Sequence, residues 1–381
     1  MDISPAGSGR FGIYVHVPFC AGGKCPYCDF YSVPYSPAEA EEYIAALSRQ
    51  AARFAPAAAG MTADTVYFGG GTPSLLGERI AGILDMLRGS FDISPAAEIT
   101  AEANPGPAGG LTPGALSALA AAGVNRLSIG MQSASPEELR LLGRRHSPQD
   151  TAALAARAKD AGIDNISLDL MLATPGQTPA SLERSVDFAA SLGPKHISAY
   201  LLKVEPGTPF FEKRRTLSLP DDDGQADFYL AACERLEKHG FMQYEISNFA
   251  LPGFESRHNL RYWDCGEYLG FGPGAHSFFG GRRFYFPRSL GQYLSEQKET
   301  DDGAGGSLDE YVMLRLRLSE GVSEAELRRR YGVGFEIFGG PMLAPMRGGG
   351  LLTLAGGRLS LTRRGMLVSN SVIAELLAMI S

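Results

Sequence analysis

Between residues 12 and 202, short apolar runs rich in β-branched residues alternate with longer alanine- and leucine-rich stretches of helical period. "GIYVHVPF" precedes "PAEAEEYIAALSRQAARFA", "DTVYFGG" precedes "GERIAGILDMLRGSF", and "EITAEANP" precedes "TPGALSALAAAG". "RLSIGMQS", "NISLDLMLATPG" and "HISAYLL" continue the rhythm, each followed by a helical segment, giving six strands. Strand and helix in strict alternation predict a parallel α/β sheet. The units do not resemble one another, so they form a βα array and not a solenoid. Six units fall short of a closed eight-unit barrel, which predicts an open, partial, TIM-like (βα)6 barrel. Its working face lies at the C-terminal ends of the strands, and the unusual residues gather there.

Directly after the first strand, "FCAGGKCPYCDF" places Cys20, Cys25 and Cys28 within nine positions. Five cysteines in 381 residues make no disulfide framework, so a tight cluster of thiols points to metal or redox chemistry. Cys25 and Cys28 have the Cys-x2-Cys spacing that zinc uses, but a closed structural zinc site wants four ligands. The other two cysteines, Cys233 and Cys265, lie far downstream, and position 30 is phenylalanine. Three thiolates suit a 4Fe-4S cluster that keeps one iron open to another molecule. Zinc and cluster both remain as readings of the spacing alone.

Other polar groups fall at the same ends of later strands. Gly70, Gly71 and Thr72 close "VYFGGGTPS", where bare backbone and a hydroxyl suit a ligand as well as they suit a plain strand-to-helix turn. Glu102, Gln132 and Asp169 end the third, fourth and fifth strands, and Arg144 follows in "LLGRRHS". Each alone reads as a satisfied polar residue at a sheet edge, but their shared position points to a site.

The cysteine triad, the aromatic Tyr27 before its last member and the run "GGGTPS" together resemble the radical S-adenosylmethionine (SAM) superfamily. The resemblance implies a cluster whose open iron is chelated by the methionyl group of SAM. It implies SAM contacts at Tyr14, Tyr27, Gly70, Gly71, Thr72, Glu102, Gln132, Arg144 and Asp169, with Cys20, Cys25 and Cys28 as cluster ligands. The chain departs from the superfamily's pattern in one place: four residues separate Cys20 from Cys25, one more than usual. Gly22 and Gly23 are expected to absorb the extra residue in unusual backbone geometry.

Beyond the sixth strand, "DDDGQADFYLAACERLEKHG" reads as a helix with an acidic start. The following stretch is crowded with aromatics and contains "HNLRYW", with His258, Tyr262 and the only tryptophan, Trp263. Histidine is a common haem ligand and flat rings suit a macrocycle; the plain alternative is an aromatic core segment with a hydrogen-bonded histidine. "YEISNFA", "HNLRYW" and "YLGFGPGAHSF" are similar to the haem-chaperone (HemW) members of the superfamily, which implies haem as a further cofactor. On that comparison His258 is the leading axial ligand, His276 and Cys265 are alternates, and Tyr262 and Trp263 face the porphyrin.

After the glycine-rich "DDGAGGS", two helical stretches, the hairpin "LLTLAGGRLSLT" and a last amphipathic stretch predict a small winged-helix-like α/β domain. The domains are therefore expected at 8–240 (partial radical-SAM barrel), 241–300 (aromatic-rich connecting segment) and 301–381 (winged-helix-like domain). Arg358, Arg363 and Arg364 near the wing invite a DNA-binding reading. A net charge of −7 and the lack of a basic recognition helix argue against it, and against an anionic membrane surface. "MDISPAGSGR" lacks the apolar run of a secretory signal and no segment has the length of a membrane span, so the expected location is cytoplasmic.

Two functions follow from the resemblance. One is a haem chaperone that passes haem to an acceptor protein, with flavodoxin or ferredoxin as an electron donor. The alternative is oxygen-independent coproporphyrinogen III dehydrogenase. That enzyme branch carries a further cysteine where this chain has Phe30, and a long N-terminal extension where 19 residues precede Cys20, so the chaperone is the expected function.

Overall fold

A computed structural model describes residues 9–106, 109–339 and 342–380. The reading of residues 1–8 and the outermost domain limits, 8 and 381, lie outside them.

The six expected strands are present: β1 (Arg10–Val17), β2 (Thr62–Gly70), β3 (Asp92–Ala103), β4 (Arg126–Gln132), β5 (Asn165–Leu172) and β6 (His196–Leu201). They lie side by side in chain order and pair in parallel throughout. Sharp helix starts help to set this order. Six helices begin with a Ser-Pro or Thr-Pro pair, at Ser36, Thr112, Ser135, Ser147, Thr178 and Thr208. Each hydroxyl accepts from the amide three residues on, while proline fixes the first helical φ and brings no N–H needing a partner.

Period-two alternation divides the strands into two faces. Ile13, Val15, Val66, Phe68, Ile99, Ala101, Leu127, Ile129, Leu168, Leu170, Ile197 and Ala199 belong to the main apolar core, with the helices' buried residues. The intervening positions, among them Tyr14, Tyr67, Glu102, Arg126, Ser128 and Asp169, form the other set, and the ladder aligns Tyr14 with Tyr67 and Glu102 with Ser128. The apolar face therefore supplies the folding energy and leaves the opposite face to polar groups.

The aromatic segment does more than connect. Tyr268–Phe271 adds a seventh parallel strand beside β1, and His276–Phe279, Arg282–Tyr285 and Thr300–Ala304 extend that edge antiparallel. Asn248–Ala250 and Met242–Gln243 cover the other edge next to β6, giving twelve strands in one sheet. The "DDGAGGS" stretch is partly strand, since Thr300–Ala304 spans the 300/301 division. These additions escape a reading based on βα alternation because antiparallel strands need no crossover helix.

In the C-terminal part, helices Leu308–Arg315, Glu324–Tyr331 and Ser369–Ile380 pack with a three-stranded sheet. Leu352–Ala355 and Arg358–Leu361 form the expected hairpin, with Gly356 and Gly357 both at positive φ. Its core joins the barrel through Cys265 and Phe278. Among the described residues no helix is long and apolar enough to cross a membrane.

Candidate functional site

The cysteine loop leaves β1 through Phe19–Cys20, which pairs in parallel with Val33–Pro34. This short ladder fixes both ends of the loop. Within it Gly22 and Gly23 take positive φ, 71° and 102°, which accommodates the extra residue as expected. Arg145 holds the loop from outside, donating to the Gly22 carbonyl at 3.1 Å. All three cysteines are partly exposed. Burial raises the Cys28 thiol pKa, and the neighbouring Cys25 and Cys20 raise it further. Such mutual repulsion between thiolates is what bound iron would offset. Among the described residues no three His, Cys, Asp or Glu side chains converge to hold one metal ion. A cluster binds each thiolate to a separate iron and so asks for sulfurs arranged around a space.

That space is a cavity of about 390 Å³, lined by Cys20, Cys25, Cys28, Tyr27, Gly70, Gly71, Thr72, Glu102, Gln132, Arg144 and Asp169. Its glycines are constrained. Gly70 sits at φ 108°, and a Cβ on Gly71 would lie 2.5 Å from the Phe19 carbonyl oxygen. Backbone is therefore laid bare beside the cysteines, a cradle for a ligand's polar end.

A chain of polar contacts crosses the mouth. The Thr72 hydroxyl lies 3.8 Å from the Cys20 sulfur and accepts from Asn104 Nδ2 at 3.0 Å. Arg144 donates to Asn104 Oδ1 at 2.7 Å and to the Tyr27 hydroxyl at 3.2 Å. Asn104 thus links the two sides of the site, a role the sequence reading missed. Its only signal was its place beside Glu102 in "AEANP", at a strand end before proline.

Deeper in the cavity, Glu102 accepts from the Tyr67 hydroxyl at 2.8 Å, and Asp169 accepts from Ser128 at 3.3 Å. Burial and the Asp169 charge push the Glu102 pKa up to about 7, and burial raises Asp169 as well. Two desolvated carboxyls beside each other favour a ligand that offers hydroxyl donors or positive charge. Gln132 is held at φ 67°, a strained value for a residue with a side chain.

The remaining expected site residues lie elsewhere. Tyr14 lines a second cleft, hydrogen-bonded to His16 at 3.0 Å. "HNLRYW" is a short helix, Arg257–Trp263, packed on the N-terminal half of β2. Glu98 accepts from the first two amides of that helix, and Arg261 is ion-paired with Asp64. His258 is buried, with Nδ1 2.8 Å from the Thr65 hydroxyl and Nε2 2.7 Å from the Tyr262 hydroxyl. Both ring nitrogens are thus engaged, and burial lowers its pKa to about 3. The expected axial ligand has no free nitrogen here; the hydrogen-bonded core histidine describes it. Trp263 also departs from the expected porphyrin face and lies under Arg317 of the C-terminal part, 5.9 Å from guanidinium to ring. Cys265 is buried in that junction, and desolvation pushes its pKa up to about 11. Only Tyr262 of the motif reaches the second cleft.

A partial parallel barrel whose mouth joins a three-cysteine loop to a glycine cradle and paired carboxyls defines a protein of the radical SAM class. The radical SAM superfamily model matches residues 14–189 and the HemN C-terminal domain model matches residues 307–368. The chain is 40% identical to "Heme chaperone HemW" of Mycobacterium tuberculosis, covering 98% of this chain and 97% of that protein. It is 36% identical to the Escherichia coli protein of the same name, covering 96% and 98%. The fold also matches the coproporphyrinogen III oxidase HemN structure from Escherichia coli, with a TM-score of 0.82 at 24% identity over 97% of this chain and 90% of that one. The chain belongs to the HemW family of the radical SAM superfamily. The cofactors of that superfamily are a 4Fe-4S cluster and SAM, and the three thiols, the glycine cradle and the buried carboxyls fit them.

Proposed function

We propose that this protein is a haem chaperone, binding haem and transferring it to an acceptor protein in the cytoplasm. The observation that carries this reading is the match with curated haem chaperones along 96–98% of the chain. On this reading Cys20, Cys25 and Cys28 hold the cluster. Gly70, Gly71, Thr72, Tyr27, Gln132 and Arg144 hold the methionyl end of SAM, and Glu102 and Asp169 its ribose hydroxyls. When bound, the cluster and SAM supply one-electron chemistry. The protein's part is to fix the loop through Arg145, to keep Arg144 aligned through Asn104, and to present Glu102, whose pKa burial raises to about 7, beside the ligand.

Cys20 and Cys25 also line an adjoining cavity, with Lys24, Arg145 and His146 around it. That region suits an electron carrier such as flavodoxin or ferredoxin. Likeness to HemN at 24% identity bears on fold alone, and Phe30 replaces the cysteine expected of the dehydrogenase.

The test is anaerobic. Protein with a reconstituted cluster is given ferric haem, then mixed with a haem-free acceptor protein, while the Soret band is followed. Haem uptake followed by transfer is expected. Conversion of coproporphyrinogen III to protoporphyrinogen IX in the presence of SAM and reductant would overturn the reading.

A further inference from the structure

The second cleft lies beside the cysteine mouth and shares one wall with it. Phe30 borders both cavities, and its side chain is 61% exposed, an apolar ring without cover. Tyr31, Tyr262 and Tyr268 add flat surface, while His276 and Arg288 stand at the edge. Three histidines lie in this region. His16 is bonded at both nitrogens, to the Tyr14 hydroxyl at 3.0 Å and the Tyr31 carbonyl at 2.9 Å. His258 is likewise engaged at both. The His276 imidazole makes no hydrogen bond among the described residues and stacks on Tyr285, with ring centroids 5.0 Å apart. Its side chain is exposed. Arg288 is also exposed and makes no ion pair among the described residues.

We propose that this cleft is the haem-binding face, with His276 as the axial ligand, Arg288 pairing with a propionate and Phe30, Tyr262 and Tyr268 against the macrocycle. The proposal rests on the haem-chaperone reading and assigns its site. Its parts match the ligand's chemistry: an imidazole for iron, a guanidinium for carboxylate and rings for an apolar plane. Partial desolvation of the ring and the charges of Arg288 and Arg283 lower the His276 pKa against an upward pull from Asp302, which favours the neutral imidazole with a lone pair to give. Size adds a further argument. The cavity holds about 260 Å³, below the roughly 300–1,000 Å³ of pockets that bury most of a drug-sized ligand's surface. A macrocycle held here keeps an edge outside, as a ligand destined for transfer requires. The "HNLRYW" helix contributes through Tyr262, whose hydroxyl His258 fixes from behind.

The experiment uses the full chain, titrated with ferric haem and with haem dimethyl ester, following the Soret band. Wild type is compared with His276→Ala and Arg288→Glu, both exposed positions. His276→Ala is expected to shift the Soret band and bind about tenfold more weakly. Added imidazole should restore the band position, a rescue that a merely structural role would not show. Arg288→Glu should weaken haem and leave the dimethyl ester unaffected. If wild type binds haem and His276→Ala keeps the same spectrum and affinity, the site assignment fails while the chaperone reading stands. If wild type binds no haem, that reading fails and the site goes with it.

Discussion

Two motifs stand out in this sequence, and the fold treats them in opposite ways. The cysteine loop lies at the open end of the barrel, with partly exposed thiols around a cavity of about 390 Å³. The "HNLRYW" helix is packed against strand β2, with both nitrogens of its histidine bonded to neighbours. One motif presents groups to a ligand; the other uses its histidine inside the protein. Motif chemistry is the same kind of signal in both cases. What separates a binding site from a scaffold is whether donors and acceptors are left without internal partners.

The sharpest test of this contrast removes the thiols. Replacing Cys20, Cys25 and Cys28 by alanine should lower iron from about four per reconstituted chain to none, with loss of the broad visible absorption. The thermal midpoint of the unreconstituted protein should barely change, because these side chains are half exposed. A single tightly bound zinc without sulfide in the wild-type protein would break the cluster side of the comparison.

His258→Ala should behave in the reverse manner. It strips partners from the Thr65 and Tyr262 hydroxyls and leaves a hole, at a cost of about 3 kcal/mol in unfolding free energy. Denaturant titration measures that loss, and the variant's histidine-type Soret band should persist under conditions where it remains folded. A fully stable variant without that band would reverse the assignment.

Gly71→Ala probes the cradle between these extremes. Its Cβ would press on the Phe19 carbonyl at 2.5 Å, shifting the strand that carries Cys20. A cost of about 1–3 kcal/mol is expected, together with faster loss of iron from the reconstituted protein. Unchanged stability and iron retention would show that the loop tolerates displacement.

The smallest effect concerns protons. Glu102 has a pKa raised from 4.5 to about 7 in the fold. The folded state therefore holds its proton after the unfolded state has lost it. The resulting stability is full below the unfolded pKa and declines as pH rises through the folded one. Glu102→Gln keeps an acceptor for Tyr67 and has no proton to lose. Its stability relative to wild type should rise from about pH 4.5 to about pH 7 and level off above that. A pH-independent difference would place Glu102 in a wetter setting.

The barrel was legible because each βα unit writes its own period, so all six strands could be read locally. The mouth was legible through Cys20, Cys25, Cys28 and the glycine run, whose spacing along the chain is their chemistry. Asn104 was not, since its function arises from Thr72 and Arg144, 32 and 40 residues away. The edge strands beside β1 were hidden for a related reason: their pairing depends on a parallel contact between Gly12 and Tyr268 that no local pattern announces. His258 shows the converse. A residue type suited to haem was conspicuous, while its engagement by Thr65 belonged to tertiary structure.

The alternation along β1 to β6 also acts as a form of proofreading. Slipping β3 by one residue would turn Glu102 toward the helices and bring Ile99 and Ala101 into the polar interior. Such an error would be rejected during folding, because it strands a carboxylate among apolar side chains and removes those side chains from their core. The correct placement of the reactive face therefore needs no separate check: a chain that has packed its helices has already set its chemistry in register.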